Sequence, residues 1–78
     1  MIHIVVHDRK GILYTGMALA LSGTNQIGAF DVLPEHANFV SVVTDGLQIH
    51  EKDAVKEVFF DRGILRVHEN VVEVYVGI

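Results

Sequence analysis

The sequence predicts an all-β domain, a flattened antiparallel β-sandwich or barrel of about eight to ten short strands. Three observations carry that prediction. Apolar residues recur with a period of two along most of the chain. Turn dipeptides that accept left-handed backbone interrupt those runs at close intervals. No long segment carries the one-sided apolar stripe of a surface helix. Short strands joined by hairpins bury their apolar faces by packing sheet on sheet.

Residues 2–6 open the chain as a first strand. In residues 12–21 the long side chains Leu13, Met17, Leu19 and Leu21 share one parity, and Tyr14, Gly16, Ala18 and Ala20 share the other. That alternation predicts a strand whose large parity faces a core. Met, Ala and Leu also favour helices, but a helix here needs a polar face and the segment has none. Residues 40–44, Asp45-Gly46 and residues 47–50 read as a hairpin, because Asp-Gly supplies both positive-φ positions of a type I′ turn. That register pairs Thr44 with Leu47 and Val42 with Ile49, and sets Val42, Leu47 and Ile49 on one apolar face. Residues 55–60 form a further strand, followed by a turn or bulge at Asp61-Arg62-Gly63. Residues 63–68 and Val71–Val76 flank Glu69-Asn70 as a second hairpin. Pairing outward from its turn sets Val67 opposite Val72 and Leu65 opposite Val74. Arg66 then falls opposite Glu73 on the other face as an ion pair.

With 78 residues the chain has room for one domain, spanning 1–78. A chain this short buries only about 60% of its unfolded surface, which disfavours a deep cleft beside a full core. Lys and Arg number 6 against 10 for Asp and Glu, so there is no basic stripe for nucleic acid. No cysteine means no disulfide and no thiolate metal site. Residues 11–30 carry no charge, but the polar run Ser22-Gly23-Thr24-Asn25-Gln26 breaks them, so they do not read as a membrane span. No signal peptide is visible at the N-terminus, and the chain is not expected to enter a bilayer.

Five histidines invite a metal hypothesis. On an extended segment His3 and His7 lie about 13 Å apart, too far to hold one ion. His50 and His68 close strands near turns, where exposed polar residues are ordinary. No metal site is expected. Glu35-His36 invites reading as an acid–base pair, but neighbours on an extended chain point to opposite faces. No Ser-His-Asp order, nucleophile elbow or phosphate loop is present, so no catalytic residue and no cofactor is expected. Residues 28–40 hold the single proline, and Pro34 cannot donate to a ladder. Two readings stay open there: a strand, a stop and the next strand, or an exposed corner offered to a partner.

That segment resembles the G-x-F-G-V-L-P-G-H-A signature of the epsilon subunit of F-type ATP synthases, with Gly28, Phe30, Val32, Leu33, Pro34, His36 and Ala37 in place. Residues 11–16 are similar to the family's early strand. Asp45-Gly46 falls where the family has Pro-Gly, and residues 63–74 are similar to its G-F-L-E-V-x-x-N-x-V-T-V ending. The four blocks occur in the family's order along the whole chain.

The resemblance implies a flattened β-sandwich at the foot of a rotor stalk, linking the gamma subunit to the membrane c-ring. It implies that the domain couples ion flow to ATP synthesis without chemistry of its own. Gly28, Ala29, Phe30 and Asp31, with Glu35, are expected to form the corner facing the c-ring. His36, Ala18 and Ala20 are candidates to face gamma, the small side chains letting a flat partner approach. The beta and delta subunits are further companions. The implied location is peripheral, on the cytoplasmic side of a bacterial inner membrane or another energy-coupling membrane. Ala29 departs from the family, which usually carries an acidic residue there. Asp31 and Glu35 stand at glycine positions and are expected to replace that charge. The loop at 22–27 is longer than usual, and residues 36–40 are similar to an alternate branch proposed to pump sodium. The chain stops at Gly77-Ile78 where the family continues into an inhibitory helical hairpin, so inhibition is not expected. A stand-alone binding module for a small ligand or peptide is the rival class. It predicts a concave pocket with convergent polar groups, whereas a stalk subunit predicts an exposed apolar patch.

Overall fold

The computed structural model describes residues 1–77; Ile78, the last residue of the predicted domain, lies outside them. Eight strands account for the fold: β1 Ile2–Asp8, β2 Gly11–Ala18, β3 Ala20–Thr24, β4 Ala29–Val32, β5 Phe39–His50, β6 Val55–Val58, β7 Arg62–His68 and β8 Val71–Val76. The order is β2-β1-β8-β7-β5-β3-β4, with β6 also on β5. The predicted all-β sandwich is the fold observed, and there is no helix among the described residues.

β5 makes one sheet into two layers. Its first part, residues 39–44, pairs with β7. Its last part, residues 47–50, pairs with β6, and β3 runs along the opposite flank. Asp45 and Gly46 lie between the two parts with φ of 64° and 81°. The dipeptide therefore bends a continuous strand instead of reversing it, which corrects the predicted hairpin. The backbone explains why. The Asp45 N–H donates to the Asp61 carbonyl at 3.1 Å. A Cβ on Gly46 would lie 2.6 Å from the Val58 carbonyl oxygen, so neighbouring backbone already fills that space. Val42 consequently faces outward, and Val43 joins Leu47 and Ile49 in the core.

Residues 12–21 also depart from expectation. The chain leaves one layer at Leu19, whose N–H donates to the His50 carbonyl at 2.8 Å. β2 pairs with β1 and β3 with β5. Of the large parity only Leu21 is buried; Leu13, Met17 and Leu19 stay about half exposed. The small parity of β2 faces inward instead. Tyr14 is the reason: a Cβ on Gly16 would meet the Tyr14 hydroxyl at 2.7 Å, so the ring already covers that position.

A third difference is direction. β1 pairs with β8 in parallel, His3 opposite Val71 through His7 opposite Tyr75. The two strands are far apart in sequence, so no tight turn forces them antiparallel. The second hairpin holds residue for residue: Val67 faces Val72, Leu65 faces Val74 and Arg66 faces Glu73. The Arg66–Glu73 ion pair spans 3.3 Å. Glu69 and Asn70 take the left-handed conformation in the turn, with φ of 48° and 63°.

Both layers close on one core. Ile2, Ile4, Val6, Leu21, Val32, Val43, Ile49, Leu65, Val72 and Val74 are wholly buried. Tyr14, Phe30, Phe39, Val58 and Phe60 pack against it from the rim.

Candidate interaction surface

The predicted ring-facing corner begins at the β3–β4 hairpin, in which Leu21 pairs with Val32 and Thr24 with Ala29. Asn25 closes its tip. Its backbone exchanges hydrogen bonds with Gly28 at 3.0 and 3.1 Å, and its Oδ1 accepts from the Ile27 N–H at 2.9 Å. Gly28 has φ of 141°, which an L side chain rarely adopts. Ile27 stands at the tip 97% exposed. Phe30 turns the other way, into the rim of the core, with its ring 5.7 Å from that of Phe39. It anchors the hairpin to the core and is only partly exposed. Ala29 and Asp31 are exposed. The Ser22 hydroxyl donates to Asp31 at 2.7 Å and sits 2.9 Å from His50 Nε2. His50 is thus half-buried and engaged, not a free surface histidine.

Glu35 and His36 do not lie on extended chain, which corrects the premise used for that pair. Glu35 has φ of 67°, and the His36 N–H donates back to the Leu33 carbonyl at 3.2 Å. Asn70 holds the corner in place. Its Oδ1 accepts from the Glu35 N–H at 2.8 Å, and its Nδ2 donates to Glu35 Oε1 at 3.2 Å. Its carbonyl accepts from the His3 N–H at 2.9 Å. One side chain and its backbone therefore join β1, the β4–β5 corner and the β7–β8 turn. His36 Nδ1 donates to the Ala37 carbonyl at 2.7 Å, and its ring packs against Phe39. Glu35, His36, Ala37, Asn38, Glu69 and Asn70 line an open hollow of about 320 Å³. The structure thus brings Glu35 and His36 together with Glu69 and Asn70, whereas Asp31 is held by Ser22.

Ala18 is wholly buried and offers no surface. Ala20 is half-buried opposite His50. The exposed apolar surface lies elsewhere, on the outer face of β2-β1-β8-β7-β5. Register aligns Ile12, His7, Tyr75, Ile64 and Val42 in one row across five strands. Ile12, Tyr75, Ile64 and Val42 are each more than a third exposed. The His7 and Tyr75 rings stack with centroids 4.9 Å apart and nearly parallel planes. The next row carries the Arg66–Glu73 ion pair, and the Tyr75 hydroxyl donates to Glu73 at 2.9 Å. That hydrogen bond to a carboxylate, more than burial, raises the Tyr75 pKa above its ordinary value. Sequence reasoning missed this face because it set the large residues of β2 inward.

Midway along β2 the Tyr14 hydroxyl donates to Glu51, tying the strand to the residue that follows β5. Burial first, and the carboxylate second, push the Tyr14 pKa up to about 12. His3 Nε2 lies 3.2 Å from the Thr15 hydroxyl. No group of three His, Asp or Glu side chains converges on a metal position among the described residues. No helix among them is long and apolar enough to cross a membrane.

These features define a class: a small two-layer β-sandwich with a broad apolar face on one layer. Comparison with known proteins makes that more specific. No family model matches the chain. It is 32% identical over 69 residues to the ATP synthase epsilon chain of Sulfurimonas denitrificans, a match covering 86% of this chain and 53% of that protein. Its fold superposes on a chain of the Euglena gracilis mitochondrial ATP synthase OSCP/F1/c-ring assembly with a TM-score of 0.88. That match is 15% identical and covers 96% of this chain and 49% of the other. A chain of the Tetrahymena thermophila mitochondrial ATP synthase central stalk and c-ring matches with a TM-score of 0.78 at 13% identity, covering 96% and 62%. At such identities the structural matches show the fold. The chain spans about half the length of the curated relative it matches. In sequence the chain is thus similar to an ATP synthase epsilon chain, and its fold is that of chains in two ATP synthase assemblies.

Proposed function

We propose that the chain is a non-catalytic stalk domain of an ATP synthase, set between the gamma subunit and the c-ring and passing rotation between them. The observation that carries this reading is the apolar row from Ile12 to Val42, a flat face broad enough for a protein partner. The epsilon-chain similarity and the likeness to chains of stalk-containing assemblies support it. Gamma covers that face, with His36 at its margin. The c-ring meets the hairpin tip and corner, Gly28, Ala29, Asp31 and Glu35, where the two carboxylates stand in for the acidic residue absent at Ala29. Phe30 holds this corner from beneath. The beta and delta subunits belong to the same complex, and residues 1–78 act as one unit. The bacterial relative supports a peripheral position on the cytoplasmic side of an inner membrane.

Co-purification with gamma and the c-ring tests the reading. The native chain should be retained by both. Ile64→Lys should lose gamma, and Asp31→Asn with Glu35→Gln should weaken the ring contact. Retention of both partners by all of these variants would refute the assignment of surfaces. Failure of the native chain to bind either partner would refute the stalk reading. The rival ligand module is less well supported, because the hollow at Glu35 and the groove beside Gly46 are both open to solvent.

A further inference from the structure

The sheet ends in three edge strands, β2, β4 and β6. A fourth free flank, on the first part of β5, is covered by the β3–β4 hairpin, through Asn25 Nδ2 to Ser41 Oγ at 3.3 Å and through the Phe30–Phe39 contact. Exposed edges offer unpaired N–H and C=O groups, and proteins blunt them with brevity, charge, proline or bulges. β6 has four residues and carries Lys56 and Glu57. β4 has four residues, carries Asp31 and is followed closely by Pro34. β2 runs for eight residues, Gly-Ile-Leu-Tyr-Thr-Gly-Met-Ala, with neither charge nor proline. Its single protective device is a bulge at Leu13, where the register with β1 shifts between Val6 and His7. Residues 14–18 continue from it in regular pairing.

We propose that β2 of the free chain pairs antiparallel with β2 of a second copy, about a two-fold axis at Thr15. The sequence is self-complementary in that register. Thr15 faces Thr15, and Leu13 of each copy, at the bulge, lies nearest Met17 of the other. Threonine pairs and apolar pairs are both favourable directly across strands. Tyr14 falls opposite Gly16, over which each copy's own Tyr14 ring already lies. An uncharged strand brings no like charges together at the axis. Met1, Ile12, Leu13, Met17 and Leu19, each about half exposed, hold roughly 100 Å² apiece, which caps the apolar area at about 1,000 Å² over two copies, the size of a weak, reversible interface. The backbone ladder adds directional bonds, and the isologous geometry closes at two copies. Apart from Ile12, at the end of the apolar row, the pairing uses none of the residues assigned to ATP synthase partners, so the proposal does not depend on that reading.

The absence of cysteine makes the test direct. Opposed Cα atoms in an antiparallel pair lie about 4.5–5.5 Å apart, within disulfide reach. Thr15→Cys, at an exposed position, should therefore cross-link under mild oxidation to twice the 8.6 kDa monomer mass. It should do so far faster than Val40→Cys, which is exposed on the opposite side of the same layer. Sedimentation of the native chain should show a monomer–dimer equilibrium. Thr15→Lys should shift it at least about tenfold toward monomer, with unchanged circular dichroism. Equal cross-linking of the two cysteine variants would overturn the proposal. So would a native monomer at every concentration with fast amide exchange along β2, an outcome that leaves the edge to an extended segment of another protein.

Discussion

Replacing Gly46 with alanine should destabilise the domain by about 3 kcal/mol, and the structure separates two contributions. The first is backbone conformation: φ at this position is 81°, and a left-handed L residue costs about 1–2 kcal/mol. The second is space. The new Cβ would lie 2.6 Å from the Val58 carbonyl oxygen. A backbone atom cannot swing away as a side-chain tip can, so β6 must shift, at a further cost of about 1–3 kcal/mol. For 78 residues the whole stability is about 4–12 kcal/mol, so this is a large fraction. At an m-value of about 1 kcal/mol/M, the urea midpoint should fall by about 2–3 M. Gly77→Ala is the control, because φ there is 73° and, among the described residues, nothing beyond its chain neighbours lies within 4 Å of the new atom. It carries the conformational cost without the clash. Equal midpoints for the two variants would refute the claim that β5 is bent against β6 through a position only glycine can fill.

Other expectations follow from the same geometry. Leu65→Ala should cost about 2–5 kcal/mol in chemical denaturation, and Leu13→Ala much less, because the first is wholly buried and the second half exposed. A reversed order would restore the large-parity-inward reading of β2. Tyr14 has a folded pKa near 12 against an ordinary value of 10. Its contribution is therefore fully present below pH 10 and is lost as the pH rises toward 12. Tyr75 titrates in the same sense, so the readout is the difference between native chain and Tyr14→Phe, which should narrow across that window. Asn70→Ala removes both side-chain bonds to Glu35 and should lower stability by about 1–2 kcal/mol in a thermal melt. Asn70→Gly loses the same bonds but relieves the left-handed backbone, so it should be the milder change.

The β7–β8 hairpin was legible because local rules agreed there: alternation, a turn residue tolerant of left-handed φ, and an ion pair in register. Asp45-Gly46 misled because the same left-handed dipeptide serves a hairpin turn and a bend within a strand. Only the arrival of β6 and β7 on one flank of β5 decides between them, and that is a long-range event. The parity of β2 was unreadable for a related reason. Tyr14 covers Gly16, so one aromatic does the filling that the pattern assigned to Leu13 and Met17. At the candidate site the sequence singled out Asp31 and Glu35 as ring-facing residues, and both are exposed. It gave no sign that Ser22 holds one and Asn70 the other, since those partners lie nine and thirty-five positions away.

The parallel contact between β1 and β8 sets the timing of folding. β1 and β2 are close in sequence and can pair early, but that hairpin alone leaves Ile2, Ile4 and Val6 without cover. Their second flank is supplied by residues 71–75, sixty-eight positions further along the chain. During translation the nascent hairpin must therefore wait with its apolar face open, exposed to chaperones and to neighbouring chains. The barrier to the native state is then dominated by closing that longest loop, which places this domain among the slower folders for its size.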